Sequence, residues 1–180
     1  MDCARFSTAC LIALLFVVPV LSGCQEPSAD PAAVDIPSLR GRLLLAEEPD
    51  DVLGVIEARE ALEISPQATG RTITLVGRIG GPPQPWVKDK ASFVIADPSV
   101  DLPDHQHEDG EACQFCAKMR AGKETLAVIE FQDDAGKVLG VDAKELFDLQ
   151  QRQMVVVRGR PKLDKSGYLV LAADGIYVRR

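Results

Sequence analysis

From Arg71 onward, apolar and polar residues alternate in short blocks, which is the period expected of half-buried strands. Five such blocks are rich in β-branched residues and are bounded by Gly, Pro or Asp. The predicted strands are Arg71–Gly81, Ala91–Pro98, Thr125–Asp133, Gln153–Leu163 and Tyr168–Arg180. The pattern therefore predicts a mainly β domain.

Two segments have the helical period instead. PDDVLGVIEAREALE starts with Pro49 and two acids, which suit a first helical turn, so it predicts a helix over Pro49–Leu62. DAKELFDLQQ lies between the third and fourth strands, and its Asp142 and Glu145 have capping-box spacing. The earlier segment IPSLRGRLLLAEE is ambiguous, and Leu43–Leu45 fit a short strand or an extended arm.

This order of elements, with a helix between strands three and four, resembles the OB-fold, a five-stranded Greek-key barrel. Gly77 and Gly159 lie within the first and fourth strands, where a glycine lets an OB strand bend around the barrel. The resemblance covers Thr72–Val178 and implies an OB-fold-like barrel preceded by a helix, with a small β-sandwich as the alternative. The sequence also resembles the small OB-fold domain of exported bacterial proteins, most of them uncharacterised.

The N-terminus has the pattern of a signal peptide. Arg5 precedes an apolar run, Leu11–Val20, that is too short to span a bilayer. The following LSGC resembles the lipobox of bacterial lipoproteins, which implies cleavage before Cys24 and lipidation of that residue. An ordinary secretory signal is the alternative. We therefore expect a signal peptide at 1–23, a flexible tether and arm at 24–47, and the barrel domain at 48–180.

The lipobox resemblance predicts the location of the protein. It implies an anchor in the bacterial cell envelope, and Gln25 after the cysteine favours the outer membrane, facing the periplasm, in a diderm. The formal net charge is −7, and cleavage leaves it unchanged because it removes one acid, Asp2, and one base, Arg5. An exported acidic protein is a poor candidate for binding nucleic acid, whose affinity comes largely from Lys and Arg.

Between the second and third strands lies an unusually long connection, from Pro98 to Glu124, and such loops tend to be functional or disordered. It contains DHQHEDGEACQFC, with both histidines of the chain and the two cysteines that remain as thiols in a lipidated protein. His-x-His and Cys-x-x-Cys pairs joined by a flexible bend can close a tetrahedral shell for zinc or copper(I). The predicted metal ligands are His105, His107, Cys113 and Cys116.

Two other interpretations of Cys113 and Cys116 remain open. They fit a structural disulfide, or a thiol–disulfide redox pair, in a disulfide-permissive compartment. A c-type haem does not fit, because Ala117 stands where the second cysteine needs a following histidine. A solvated acidic loop without a common role is the plainest alternative. Four protein ligands would close the metal shell, so the sequence favours binding over enzymatic catalysis.

A further candidate is Trp86, in the loop GGPPQPW after the first strand. OB domains often bind ligands at this loop. The loop fits a site for an envelope protein or a glycan, or a stiff proline turn in which Trp86 covers one end of the barrel. Phe93 and Phe131 are expected in the core.

Overall fold

The strands predicted by the alternating pattern are present in the predicted order. The structure is a computed structural model that describes residues 35–66, 70–100 and 122–180. The helices are α1 (Ile36–Leu43), α2 (Val55–Ile64) and α3 (Ala143–Phe147). The strands are β1 (Val52–Leu53), β2 (Ile73–Ile79), β3 (Ser92–Ala96), β4 (Leu126–Phe131), β5 (Met154–Leu163) and β6 (Leu169–Val178). A 3₁₀ turn, Lys123–Thr125, leads into β4.

Five of these strands form a closed barrel in the order β2-β3-β4-β6-β5. Pairing between β2 and β5, from Ile73–Gly159 to Arg78–Met154, closes the barrel. β4 and β6 run parallel, while the other barrel neighbours are antiparallel. α3 lies between β4 and β5 along the chain, as the sequence predicts. The OB-fold-like barrel is thus confirmed, and closure excludes the sandwich alternative.

Strand alternation fills the barrel with apolar side chains. Phe93 and Phe131 are fully buried, as predicted, and their rings stack with centroids 6.5 Å apart. The ring centroid of Phe147, on α3, lies 4.7 Å from that of Phe131. Phe147 thus covers one end of the core. The other core residues that the barrel strands contribute include Leu75, Ile79, Ile95, Ile129, Val155, Val157, Leu169, Leu171 and Ile176. The described residues therefore form a continuous core by themselves.

The two glycines singled out in the sequence lie at close approaches of the backbone. A Cβ added at Gly77 would lie 2.8 Å from Ile95 Cδ1. At Gly159 it would lie 2.4 Å from the carbonyl oxygen of Ala172. Gly159 also borders an irregularity in the pairing of β5 with β6. Both positions lack room for a side chain.

Before β2, the chain wraps around the outside of the barrel. The sequence pattern did not predict α1. Its N-cap is Asp35, whose side chain accepts a hydrogen bond from Ser38 N–H. Leu44 then pairs with Ile176 of β6 in parallel, and Glu48 forms an ion pair with Arg179. β1 follows, parallel to β2. The arm thus crosses from β6 to β2.

The predicted helix Pro49–Leu62 is wrong at its start. The helix observed there, α2, begins at Val55, with Gly54 as its N-cap. Val52 belongs to β1 instead, and Asp51 has a left-handed backbone with φ of 55°. The apolar residues Val55 and Leu62 are buried as the helical period predicts. Val52 and Leu53 pair with β2 as strand β1. They therefore cannot form a first helical turn, and α2 begins only after them.

α3 has the cap that the sequence predicts. Asp142 Oδ1 accepts a hydrogen bond from Lys144 N–H at 2.8 Å, and Leu146 and Phe147 are buried. The other end is capped from α1: Arg40 donates to the carbonyl oxygens of Leu146 at 2.7 Å and Glu145 at 2.9 Å. α1 is therefore joined to the barrel through the end of α3.

Candidate functional site

The residues predicted to bind metal lie outside the described part of the chain. His105, His107, Cys113 and Cys116 all fall within residues 101–121, and Cys24 falls within residues 1–34. Residues 35–66, 70–100 and 122–180 contain no group of three or more His, Cys, Asp or Glu side chains able to hold a metal. They also contain no histidine or cysteine. The metal site therefore stays a prediction.

The two ends of the segment that contains those residues are described, and they meet. Asp97 N–H, just after β3, donates to the Thr125 carbonyl oxygen, just before β4, at 2.8 Å. Val100 N–H donates back to the Asp97 carbonyl at 3.0 Å. Thr125 Oγ1 donates to the Gly122 carbonyl at 2.9 Å. We call residues 97–100 and 122–125 the insertion base. These are the two described segments that flank residues 101–121, and their hydrogen bonds hold them together.

The Asp97 side chain attaches the insertion base to α2. Its carboxylate is buried, and Oδ2 accepts a hydrogen bond from Ile56 N–H at 3.1 Å. Oδ1 accepts from Ser99 N–H at 3.0 Å and from Ser99 Oγ at 2.6 Å. Gly54 makes no side-chain cap, so Asp97 supplies the acceptor that the first turn of α2 needs.

The protonation of Asp97 reflects these contacts. Burial disfavours the charged carboxylate and would raise the pKa of Asp97. The hydrogen bonds from Ser99 Oγ, Ser99 N–H and the N–H groups of Ile56 and Val55 favour the charged form, and together they hold the pKa below its usual value. Asp97 is therefore an anion at neutral pH, placed at the positive end of α2.

Arg59 of α2 forms a second connection at the same end of the barrel. Its Nη1 donates to the carbonyl oxygens of Gly167 at 2.8 Å and Lys123 at 3.4 Å. Its Nε pairs with Glu63, one turn along the helix, at 3.0 Å. Arg59 thus holds the insertion base beside the β5–β6 turn. This role could not be predicted from the sequence, because Arg59 has the spacing of an ordinary solvated helix residue.

Trp86 covers one end of the barrel. It pairs with Phe93 through the backbone, and the two rings lie 5.9 Å apart. Lys144 Nζ of α3 lies over the Trp86 ring, 5.7 Å from its centre. Trp86 is half-buried and packs against the core. These contacts agree with a cover at the barrel end, and ligand binding by the Trp86 loop stays a prediction.

Aromatic residues do not form a stacking platform on the described barrel strands. Phe93 and Phe131 point inward, and Tyr168, which is 38% exposed, lies in the β5–β6 turn. Tyr177 on β6 is half-buried and is the one remaining aromatic residue of the described barrel strands. Single-strand and glycan binding by OB domains relies on exposed aromatic rings along the strands. Among the described residues, this barrel surface lacks that feature.

No protein-family model matches the chain, and no curated protein is detectably similar to it in sequence. None of the helices in the described ranges has the length and hydropathy of a membrane span. Any assignment of function therefore depends on the residues of this chain.

Proposed function

We propose that this protein is an exported, lipid-anchored metal-binding protein of the bacterial envelope, in which an OB-fold-like barrel carries a zinc or copper(I) site. The ligands are His105, His107, Cys113 and Cys116. The observation that carries the proposal is the joint spacing of the two chelating pairs within one connection between adjacent strands. The role is binding rather than catalysis, because four protein ligands leave no open position for a substrate.

The surroundings of the insertion are consistent with a separate binding unit. The described residues form a continuous core by themselves, which supports a metal site that is separate from the folding of the barrel. The insertion base is fixed by the Asp97–Thr125 hydrogen bond and by Arg59. A metal in the insertion would therefore add order to one segment of the chain, without being needed to fold the barrel.

Metal content measured on protein purified under reducing conditions tests the site. We expect about one equivalent of zinc or copper(I), with protons released on binding as the thiols ionise. His105→Ala with His107→Ala, and separately Cys113→Ser with Cys116→Ser, should each lose most of the metal. Competition between zinc and copper(I) in the same protein identifies the preferred ion.

A matched control lies inside each chelating pair. Gln106 is between the histidines and Gln114 is between the cysteines, so Gln106→Ala with Gln114→Ala should keep the full metal content. If the histidine variant binds as much metal as this control, the four-ligand site is wrong. A reduced protein that binds no metal but has a reactive Cys113 thiol would instead favour a redox pair or a disulfide.

The envelope anchor has its own test. Mass spectrometry of the mature N-terminus should show cleavage before Cys24 and acyl groups on that residue. A Cys24→Ala variant should lack the acyl groups and should keep its apolar run uncleaved. An unmodified terminus, or cleavage at another bond, would remove the anchor from the proposal while leaving the metal site to be judged separately.

A further inference from the structure

Opposite charges line one cleft on the outer surface of the barrel without pairing across it. The cleft has a volume of about 450 Å³. Arg42 of α1 and Arg160 of β5 supply positive charge, and Asp133 and Asp134, in the turn after β4, supply negative charge. β6 contributes Ala172, Ala173 and Asp174 to the lining. The Asp174 carboxylate already accepts a hydrogen bond from Arg158 Nε at 2.7 Å, and the two alanines carry no large side chain.

The hydrogen bonds of these groups show which charges remain available. Asp133 Oδ1 accepts from the N–H groups of Ala135 at 3.0 Å and Lys137 at 2.9 Å. Within the described ranges, Arg42, Arg160 and Asp134 make no side-chain hydrogen bond or ion pair. Two guanidinium groups and a carboxylate thus share a concave surface with no side-chain partner among the described residues. A ligand that carries both charges would pair with both sets.

The backbone that carries these charges is well fixed. Gly159 brings β5 so close to the Ala172 carbonyl that a Cβ would have no room, and this anchors the strand just before Arg160. Asp133 N–H donates to the Lys137 carbonyl at 2.8 Å, which closes the turn beside Asp134. Leu43 is buried and holds the end of α1 next to Arg42. Fixed backbones reduce the entropy that a ligand loses on binding.

We propose that this cleft binds a small zwitterion of about the size of a dipeptide. Arg42 and Arg160 hold its anionic group, for which the guanidinium fork suits a carboxylate. Asp134 and the free oxygen of Asp133 hold its ammonium group. The site lies on α1, the turn after β4, β5 and β6. It includes no residue of the insertion base, and it stands independently of the metal proposal.

Titrations of the isotope-labelled mature chain, followed by amide NMR shifts, test the proposal. The probes are alanyl-alanine, which has both charges, N-acetylalanine, which is only an anion, and alaninamide, which is only a cation. We expect saturable shifts at Gly136, Ala172 and Asp174. The dipeptide should bind at least about tenfold more tightly than either single-charge probe, since each charged contact adds affinity.

Variants locate the two charge sites. Arg160→Gln should weaken dipeptide binding about tenfold or more and leave alaninamide unchanged, and Asp134→Asn should leave N-acetylalanine unchanged. Lys162→Gln is the matched control, because it removes a cation from the same strand two residues beyond Arg160 and outside the cleft. Equal binding of dipeptide and N-acetylalanine, equal effects of Arg160→Gln and Lys162→Gln, or no saturable shift with any probe would overturn the proposal.

Discussion

The Asp97 carboxylate lies 3.1 Å from the backbone nitrogen of Ile56, so a residue after β3 caps a helix that precedes the barrel. A Cβ at Gly54 would lie 2.7 Å from Asp97 Oδ2, which explains the glycine at the helix start. The same carboxylate binds Ser99 within the insertion base. One side chain therefore links α2, β3 and the start of the insertion.

Replacing Asp97 should destabilise the fold. Asp97→Ala leaves the first N–H groups of α2 without an acceptor, and we expect a loss of about 1–3 kcal/mol in the free energy of unfolding. Ser99→Ala, which removes one donor to the carboxylate, should cost less. Urea unfolding followed by Trp86, the only tryptophan of the chain, measures both. An exposed control, Asp50→Ala, should change stability by less than about 0.5 kcal/mol.

Low pH should remove the contribution of Asp97 to the free energy of unfolding. Because the pKa of Asp97 is lowered in the folded protein, its stabilisation is complete above the unfolded pKa of about 3.9. That stabilisation is lost as the pH falls through the lower, folded value. The difference in stability between the native chain and Asp97→Ala should therefore be constant from neutral pH to about pH 5 and shrink below about pH 4. A difference that stays constant down to pH 2 would contradict an ionised cap.

The insertion should be removable. The insertion base already closes through Asp97 and Thr125, so replacing residues 101–121 by a short Gly/Ser linker should leave the free energy of unfolding within about 1 kcal/mol, because loop closure depends weakly on length. Urea unfolding and the dispersion of amide NMR signals check the fold, and the metal content checks the proposed site. A chain that fails to fold would show that the insertion belongs to the core.

Local patterns were enough to predict the barrel. Period-two alternation depends on which face of a strand is buried, and it located every barrel strand to within a few residues. The helical period likewise found α3, where Asp142 caps locally. The start of α2 was mispredicted because Pro49 and its two following acids resemble a helix start, whereas the actual cap, Asp97, comes from a distant part of the chain.

Residues that act across long sequence separations could not be predicted. Arg59 reaches Gly167 and Arg40 reaches Leu146, each more than a hundred residues away. In the sequence Arg59 has the appearance of a solvated helix residue, and Arg40 lies in a segment of ambiguous pattern. Only the fold brings their acceptors near. The cleft charges are of the same kind, since α1, β5 and the turn after β4 meet only in the fold. The metal-site spacing, in contrast, is local.

The stabilisation that Arg40 provides by capping α3 should be measurable by comparison with Arg42. Arg40→Ala leaves the last carbonyl groups of α3 without their donor, and we expect a loss of about 1–3 kcal/mol. Arg42→Ala removes an exposed guanidinium from the same helix, with no hydrogen-bond partner among the described residues, and should change stability by less than about 0.5 kcal/mol. Equal effects of the two variants in urea unfolding would show that α1 does not stabilise the barrel through α3.

A side chain at Gly159 should disturb both stability and the cleft. Gly159→Ala places its Cβ 2.4 Å from the Ala172 carbonyl oxygen, and a backbone oxygen cannot move without shifting β6, so we expect a loss of about 1–3 kcal/mol. Gly41→Ala is the control: it lies in α1 with nothing within 4 Å of an added Cβ and should stabilise the helix by about 0.5–1 kcal/mol. Opposite signs for the two substitutions would show that close strand approach, and not glycine content, decides the result. A native-like stability of Gly159→Ala would mean that β5 can withdraw from β6, and Arg160 would then lack the fixed position that the cleft requires.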